Sequence, residues 1–522
     1  MSSTPAVVQR SQDETPYLDH GRTAAVHKRV TRSILSSLLL NIFANGFLYA
    51  GQLIIARSLT RNEYADYVVA INFVTLFALF ADLGLTPMLT RMFSEAEERR
   101  AQGGEDRRGV LLGSALLLRT GLAAIVSGVI LLASRWMGYS TDAIFLINIT
   151  IVTLFISSRV TIVRSVGESL VRSQGKYQLA VFFAAIDALV FAGTLYYSYL
   201  HRLDVTRTGI IYAFCHLPGF ILLTITVIRW ARREHVKIRV DPKLLRMLLS
   251  VGVPLMFGTA FYTIHTTADP LLLKKLSTPL EVSAFGASVR FYAAVIFVPM
   301  VLSGILAPEV TRLLARGDGL QIRRLVDLAI RGLLVFAATT ALFITCLSAP
   351  VVTLILGGKY ADAAPLVMVI AWTFIPVCFA TLLVEVAVAS GKLWSSALYM
   401  GVVMIVTLTG DLLFVGPFGA LGATLTKTAA VLLASLVLVR KLGSFDAFDL
   451  RWFARFLWRF LLAILLAIGS YFALREIRAS DISTTIATLF VFLLAIALLR
   501  AIRVDEIRKV ITRGLVGVEE GS

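Results

Sequence analysis

Apolar runs of about 20 residues recur along the whole chain and constrain its fold more than any other feature. A run of this length crosses the roughly 30 Å hydrocarbon core of a bilayer as an α-helix. Hydrophobic residues make up 57% of the 522, more than a water-soluble fold of this size can bury. Unpaired backbone is too costly in lipid, and the alternating pattern of a barrel is absent. The sequence therefore predicts an all-α polytopic membrane protein.

Fourteen membrane-spanning helices are predicted from these runs, with short connections between them. The spans are residues 33–56, 64–89, 109–134, 141–158, 177–199, 208–228, 247–272, 282–308, 325–348, 365–388, 393–415, 418–439, 456–474 and 483–499. Of the 50 Lys and Arg residues, 37 fall on the side of the two termini and ten on the other side. This bias predicts cytoplasmic N- and C-termini. The net charge of +17 then reflects membrane topology, and no nucleic-acid partner is predicted.

An internal repeat is indicated by two pairs of similar segments. IIARSLTRNEYADY (54–67) resembles LLLKKLSTPLEVSAF (271–285) at an offset of 218, and RSQGKYQLAVFF (172–183) resembles VASGKLWSSALY (388–399) at an offset of 216. Two matches at nearly one offset predict two six-helix repeats that enter the membrane in the same sense. Chance similarity among apolar helices is the alternative.

The repeat divides the chain into two lobes around a central cavity, as alternating access requires. The predicted units are a disordered cytoplasmic tail (1–32), an N-lobe (33–230), a C-lobe (244–440), two further helices (452–502) and a cytoplasmic C-terminal tail (503–522).

Three motifs carry a resemblance to a known family. ARSLTRNEYADY followed by ADLGLTPMLTR (81–91), SQGKY (173–177) and LSAPVVTLILGGKYADAAPLVMVIAW (347–372) resemble segments of bacterial polysaccharide transporters. These are the O-antigen-type flippases of the multidrug/oligosaccharidyl-lipid/polysaccharide exporter superfamily. The resemblance covers roughly residues 30–440. Two additional C-terminal helices are also typical of these flippases.

The resemblance implies that the protein moves a polyprenyl-diphosphate-linked oligosaccharide from the cytoplasmic to the periplasmic face of the bacterial inner membrane. Where the lipid II branch has an Arg-Asp pair late in its first helix, this chain has Gly51-Gln52. That departure favours an O-antigen, capsule or exopolysaccharide repeat unit. The implied partners are this lipid-linked substrate, membrane lipids, a polysaccharide polymerase and a chain-length regulator. No cofactor is implied.

Three basic residues inside spans are the first candidates for binding a diphosphate. Arg290 lies nine residues into its helix from Glu281, about 14 Å at 1.5 Å per residue. Arg119 and Lys427 are the next candidates, because an ionisable group within a membrane span is energetically costly and therefore indicates a function. Guanidinium groups suit phosphate oxygens well. The alternative is that each forms an internal salt bridge, for instance to Asp187 or Asp411.

A polar stripe on the first helix, formed by Asn41, Asn45 and Gln52, could face sugars in the cavity. Hydrogen bonds between helices explain these residues about equally well. On the seventh helix, His265 and Asp269 share a face and could bind the proton or cation that drives the cycle. A buried hydrogen bond between the two is the alternative.

The remaining acids in or near spans are candidates for coupling or gating: Asp82, Asp187, Glu385 and Asp411. Asp82 and Glu385 lie toward cytoplasmic helix ends, where gate salt bridges would form in an outward-open state. The six histidines and three cysteines show no spacing typical of a metal site, so no metal is expected.

Two other classes of function compete with the flippase. A polysaccharide polymerase or ligase needs a large extracytoplasmic catalytic loop, and the outside connections here are short. No GxxxxGK[ST] or HExxH motif appears, so the sequence supports no enzyme. A multidrug or cation exporter of the same superfamily would favour a cavity dominated by acids, whereas the three basic residues in spans favour an anionic substrate.

Overall fold

The computed structural model describes residues 20–160, 162–201, 203–315, 319–442 and 450–499. These residues form α-helices and one 3₁₀ helix, with no strand among them. The α-helices are His20–Ser58 (α1), Arg61–Asp82 (α2), Thr86–Ala101 (α3), Arg108–Trp136 (α4), Thr141–Thr150 (α5), Thr153–Ile156 (α6), Arg164–Ser173 (α7), Tyr177–Leu200 (α8), Val205–Phe214 (α9), Leu217–Arg233 (α10), Pro242–Leu276 (α11), Pro279–Val295 (α12), Phe297–Ala315 (α13), Gly319–Leu356 (α14), Ala364–Ala389 (α15), Leu393–Leu442 (α16), Leu450–Glu476 (α17) and Asp481–Leu498 (α18), and the 3₁₀ helix is Gly358–Ala363.

The prediction of an all-α membrane fold is confirmed. Ten helices of the described residues are long and apolar enough to cross a membrane, and α11, bent by 52° after Phe257, would be an eleventh. Each of the fourteen predicted spans falls on one helix or on consecutive helices. Two predicted spans merge in α16, whose backbone kinks at Gly419 (φ 56°, ψ −136°). The segment Thr141–Ile156 is short, so the number of crossings stays a prediction.

The first helix begins before the first predicted span. Helix α1 begins at His20 and so includes residues 20–32, while the end of the cytoplasmic tail at residue 32 stays a prediction. The polar composition that suggested disorder continues directly into the apolar first span, and a helix extends through both. Residues 1–19 of the predicted tail and the whole of the predicted tail 503–522 lie outside the described residues.

The fourth predicted span is followed by a break in the helix and then by a short buried helix, before the fifth predicted span begins. Helix α5 ends at Thr150 and α6 at Ile156, and the chain is non-helical at Ser157 and Ser158 before the buried helix α7 starts at Arg164. The Ser157 hydroxyl accepts from the backbone N–H of Arg159 at 3.0 Å and so supports the break. Non-helical backbone at membrane depth is tolerated where it is buried in protein or lines a cavity.

The two predicted repeats share local geometry at both matched segments. Thr60 and Thr278 cap α2 and α12 in the same way, each accepting from the backbone N–H three residues later. The turns at Gly175 and Gly391 both have φ +72°, a left-handed conformation that glycine adopts without strain. At each turn the glycine N–H donates to the carbonyl three residues earlier at 3.0 Å. These matches support the repeat, which stays a proposal for the lobes as a whole.

The hydrophobic core of the described residues has three main parts. One core is shared by both predicted lobes and contains Ile55, Tyr64, Val282 and Tyr360, from the end predicted to face outside. A second core lies within the C-lobe and extends to α17 and α18. A third joins the α2–α3 connection, α3, α4 and α7 to the first half of α11 through residues such as Leu248. Helix α11 therefore packs on the N-lobe at both of its ends, and its second half also packs on α16.

Candidate functional site

Arg290 on α12 lies among tyrosines and not beside a carboxylate. It is partly buried, and the hydroxyls of Tyr64, Tyr67 and Tyr212 are near enough to interact with it electrostatically. Its Nε atom has no hydrogen-bond partner, and no ion pair joins Arg290 to any acid among the described residues. The close approach of α2 and α12 creates this arrangement, because a Cβ on Gly286 would lie 2.6 Å from Val68. Arg290 is thus a cation with free hydrogen-bonding capacity.

Arg159 is a second cation in the same neighbourhood. It sits in the non-helical break between α6 and α7, is exposed, and interacts electrostatically with both Tyr67 and Tyr212. Its guanidinium stacks over the Phe191 ring, with Cζ 5.7 Å from the centroid. No carboxylate pairs with it within the part of the chain that the structure describes. Two arginines, from α12 and from the break, therefore interact with the same two tyrosines.

The polar stripe of α1 is divided between two environments. Gln52 is buried and accepts a hydrogen bond from the Tyr67 hydroxyl at 3.1 Å, so it supports the tyrosine that faces both arginines. Asn45 is exposed and donates to the Asn41 carbonyl at 2.8 Å, a bond within its own helix. The structure thus brings Gln52 to the arginine site and does not bring Asn41 or Asn45 into contact with Arg290.

Arg119 forms the internal salt bridge that was the alternative to substrate binding. Its Nη1 lies 2.8 Å from Asp82 Oδ1, and Nη2 donates to the Thr86 hydroxyl at 3.2 Å. The side chain is completely buried. This pair joins α4 to the corner between α2 and α3, where Leu83 is left-handed with φ 50°. Without exposed surface, Arg119 cannot contact a ligand in this structure, and Asp82 pairs within its own lobe.

Lys427, Asp269 and Asp411 form one buried cluster in the C-lobe. Lys427 Nζ lies 2.5 Å from Asp269 Oδ2 and donates to the His265 carbonyl at 3.2 Å. Asp411 interacts with both Asp269 and Lys427. Both carboxylates are fully buried. The hydrogen bond of His265 is formed between its Nδ1 atom and the Thr407 hydroxyl, 2.8 Å apart, and not with Asp269. The cluster therefore holds two buried carboxylates and one ammonium group.

Asp187 belongs to a different network in the N-lobe, whose charges balance. Its Oδ2 lies 2.5 Å from Arg164 Nη1, and its Oδ1 accepts from the Gly219 N–H at 2.8 Å. Arg164 also pairs with Glu168 at 2.9 Å, and Arg172 pairs with the other oxygen of Glu168 at 3.2 Å. Two acids thus face two arginines. This pairing explains how the basic segment after the fourth span can be buried as α7.

Glu385 on α15 is partly buried next to Leu306 and Val310 of α13. It forms no ion pair with any described residue. Its predicted gate salt bridge would form in an outward-open state, so Glu385 stays a gating candidate.

Ion pairs hold the two lobes together at the end predicted to face outside. Arg61 Nη1 lies 2.6 Å from Asp362 Oδ2, and Arg61 Nη2 donates to the Leu280 carbonyl at 2.8 Å. Lys274 Nζ lies 2.7 Å from Asp66 Oδ1. We call the pairs Arg61–Asp362 and Lys274–Asp66 the outer latch. Each pair joins a residue of α2, in the predicted N-lobe, to a residue of the predicted C-lobe. The two lobes are therefore in contact at the outer end, which is closed.

At the opposite end, outside the spans, charged groups tie the α3–α4 connection to the end of α10. Arg108 donates to both Asp106 oxygens at 2.8–2.9 Å and to Glu97 at 2.8 Å. The hydrogen bonds from Arg108 lower the pKa of Asp106. Glu234 pairs with Arg100, and this hydrogen bond lowers its pKa as well. Both carboxylates therefore stay ionised and paired at neutral pH.

The chain is similar to a known family in sequence and to known proteins in fold. The model of the polysaccharide biosynthesis protein family matches residues 30–315, and no curated protein matches the chain in sequence. The structure described as lipid II flippase MurJ in an inward closed conformation is 14% identical, with a TM-score of 0.68 over 92% of this chain and 99% of that one.

Multidrug exporters share the fold as well. An inward-facing multidrug resistance MATE family transporter of the MOP superfamily is 13% identical, with a TM-score of 0.63 over 77% of this chain and 96% of that one. A MATE transporter of Vibrio cholerae is 16% identical, with a TM-score of 0.51 over 80% of this chain and 100% of that one. At these identities the likeness concerns the fold alone. The family model spans more than half of the chain and includes the motifs at 56–67, 81–91 and 173–177: the chain belongs to the polysaccharide biosynthesis protein family.

Proposed function

We propose that the protein is a flippase that carries a polyprenyl-diphosphate-linked oligosaccharide across the bacterial inner membrane by alternating access. The observation that carries the proposal is the arginine pair, Arg159 and Arg290, which interact with the same two tyrosines and form no ion pair with an acid among the described residues. A diphosphate moving through a region of low dielectric needs such cations, and guanidinium forks bind phosphate oxygens with two hydrogen bonds. Tyr67 and Tyr212 add hydroxyls that can bind phosphate or sugar oxygens.

The burial of two carboxylates in the C-lobe weighs against export of a cationic drug, the first alternative. Cationic cargo would be attracted to exposed carboxylates, whereas Asp269 and Asp411 are fully buried and interact with Lys427. A polymerase or ligase, the second alternative, would need a catalytic loop outside the membrane. The connections of the described residues at the outer end are short. We therefore propose no enzyme activity.

The direction and the cell location are part of the proposal. The excess of basic residues on the side of the termini supports cytoplasmic termini in an inner membrane. The proposed cargo is an O-antigen, capsule or exopolysaccharide repeat unit, moved from the cytoplasmic to the periplasmic face. Family membership supports a polysaccharide pathway, in which a polymerase and a chain-length regulator would act on the product.

A flipping assay with purified protein tests the proposal. Proteoliposomes would contain a polyprenyl-diphosphate oligosaccharide with a fluorescent sugar, and a membrane-impermeant reductant would quench the outer leaflet. We expect complete quenching with the protein and about half without it, because lipids distribute between two leaflets. Deleting the gene should also abolish the surface polysaccharide and leave its precursor facing the cytoplasm. Half quenching with correctly folded protein, together with an unchanged surface polysaccharide after gene deletion, would refute the proposal.

The outer latch gives a prediction for the conformational cycle. Arg61→Ala removes the ion pair to Asp362 and the hydrogen bond to Leu280. A partly buried charged hydrogen bond contributes about 1.5–3 kcal/mol, so the outward-open population should rise about tenfold or more. The measurement is labelling of V282C, a buried position on α12, by an impermeant maleimide. The exposed Arg135→Ala is the control. Equal labelling rates in all three proteins would mean that the latch does not hold the outer end closed.

The C-lobe cluster gives a prediction for coupling to an ion gradient. Two buried carboxylates that share one ammonium cannot both stay ionised without a further positive charge, so we propose that Asp269 and Asp411 bind one proton or cation. Asp411→Asn leaves the Asp269–Lys427 pair neutral. It should fold normally but flip lipid at a rate independent of imposed proton or sodium gradients. The exposed Asp142→Asn is the control. Wild-type gradient dependence in Asp411→Asn would exclude this role.

A further inference from the structure

An open groove lies between α7 and α10, at the end of the bundle predicted to face the cytoplasm. Its volume is about 310 Å³, within the range of small-ligand sites. Three exposed cations line it, Lys176 after α7 and Arg229 and Arg233 on the last turns of α10. The floor is apolar, with Val171 and Val227 among its residues. Neither Arg159 nor Arg290 lines the groove.

The positive charge of this groove is not compensated. Its one lining carboxylate, Glu234, is already paired with Arg100 and lies 3.5 Å from Arg108. Lys176 Nζ donates to the Gln174 amide oxygen at 3.1 Å, a neutral partner. None of the three groove cations forms an ion pair with an acid in the described ranges. An anion entering the groove would therefore meet three cations whose charge is unpaired.

The level of the groove in the membrane indicates what kind of anion fits. Exposed apolar side chains follow α10 up to the groove, namely Ile221, Leu222, Ile225 and Ile228. The groove cations of α10 follow them along the helix. Trp230 on α10 lines the groove, and the exposed Tyr177 directly follows Lys176 in the chain. Aromatic residues of this kind mark the interface between hydrocarbon and water. A lipid lying beside α10 would place its chains on the isoleucines and its head group among the cations.

We propose that this groove binds the phosphate of an anionic lipid from the cytoplasmic leaflet. Basic pockets between helices on this side of a membrane bind lipid phosphates by charge and by guanidinium forks. Two lipids carry this chemistry, an anionic phospholipid and a polyprenyl phosphate. Binding at the groove does not require transport, so it can be tested independently of flipping.

Native mass spectrometry of the full-length protein in detergent tests the inference. Phosphatidylglycerol and polyprenyl phosphate are titrated in turn, with zwitterionic phosphatidylcholine as the lipid control. The test variant is K176Q/R229Q/R233Q. The control is R99Q/R107Q, which removes exposed cations from a neighbouring groove at the same membrane face. We expect the test variant to bind at least one of the two anionic lipids about 100-fold more weakly, and the control to bind both as the wild type does.

The pattern of loss identifies the occupant. Weaker binding of phosphatidylglycerol, alone or together with polyprenyl phosphate, indicates a phospholipid site, whereas loss of polyprenyl phosphate alone indicates that the groove binds the carrier lipid. Wild-type binding of both lipids by the test variant would overturn the inference, and so would phosphatidylcholine binding as tight as phosphatidylglycerol binding. If the triple variant melts at a lower temperature, Arg229→Gln alone is measured, and an unchanged affinity there would count equally against the groove.

Discussion

Arg290→Ala should abolish flipping of a diphosphate-linked lipid while leaving the protein folded. Arg290 has no carboxylate partner among the described residues, so its removal leaves no buried acid unpaired. Each charged hydrogen bond to the diphosphate is worth about 1.5–3 kcal/mol, and two of them correspond to about a hundredfold or greater loss. The measurement is the initial flipping rate in proteoliposomes, with the thermal midpoint in detergent as the folding check.

Two further variants test the planar pair of donors of the Arg290 guanidinium and the contribution of Arg159. Arg290→Lys keeps the charge but loses the planar pair of donors, so it should recover only part of the rate. Arg159→Ala should also slow flipping, and the double variant should lose less than the product of the two single effects if both arginines hold one diphosphate. Exposed Arg135→Ala is the control. Wild-type flipping by Arg290→Ala would make Arg290 a structural residue and remove the main support for an anionic cargo.

The sequence was sufficient for the membrane class, the helical runs and the family, because these depend on local apolar length and short motifs. It also singled out Arg290 by its depth. It did not select Arg159 for the site and did not predict the buried helix α7, because basic residues between spans usually mark exposed cytoplasmic loops. The spacing Arg164–Glu168–Arg172 was a local sign of a helix, since residues four apart share a face. That Asp187 neutralises Arg164 depends on tertiary packing.

The C-lobe cluster shows a second limit of the same kind. Sequence reasoning selected Lys427 for substrate and assigned Asp269 and Asp411 to coupling, whereas the structure places all three together. The kink of α16 at Gly419 turns the helix back on itself, so that a Cβ on Gly410 would lie 2.3 Å from Thr426. Hydropathy predicts two spans there but does not specify which of their faces meet.

Lys427→Met should destabilise the fold more than any other single change in this cluster. It leaves Asp269 and Asp411 buried without a cation, and breaking a buried ion pair by removing one partner costs about 3–5 kcal/mol. The expected result is a much lower thermal midpoint and poor yield in detergent. Exposed Lys275→Met, on the same helix as Asp269, is the control and should melt as the wild type does.

The double variant Asp269→Asn with Lys427→Met distinguishes loss of charge balance from loss of packing. It removes both members of the ion pair, so Asp411 faces no second carboxylate and most of the lost stability should return. If Lys427 acted only through contacts of its aliphatic stem, methionine would replace it and the single variant would already be stable. A double variant no more stable than Lys427→Met would mean that the ion pair itself, and not the unpaired acids, sets the stability of the C-lobe. That result would also remove the physical basis for a proton or cation shared by Asp269 and Asp411, since the basis is their excess of negative charge over one ammonium.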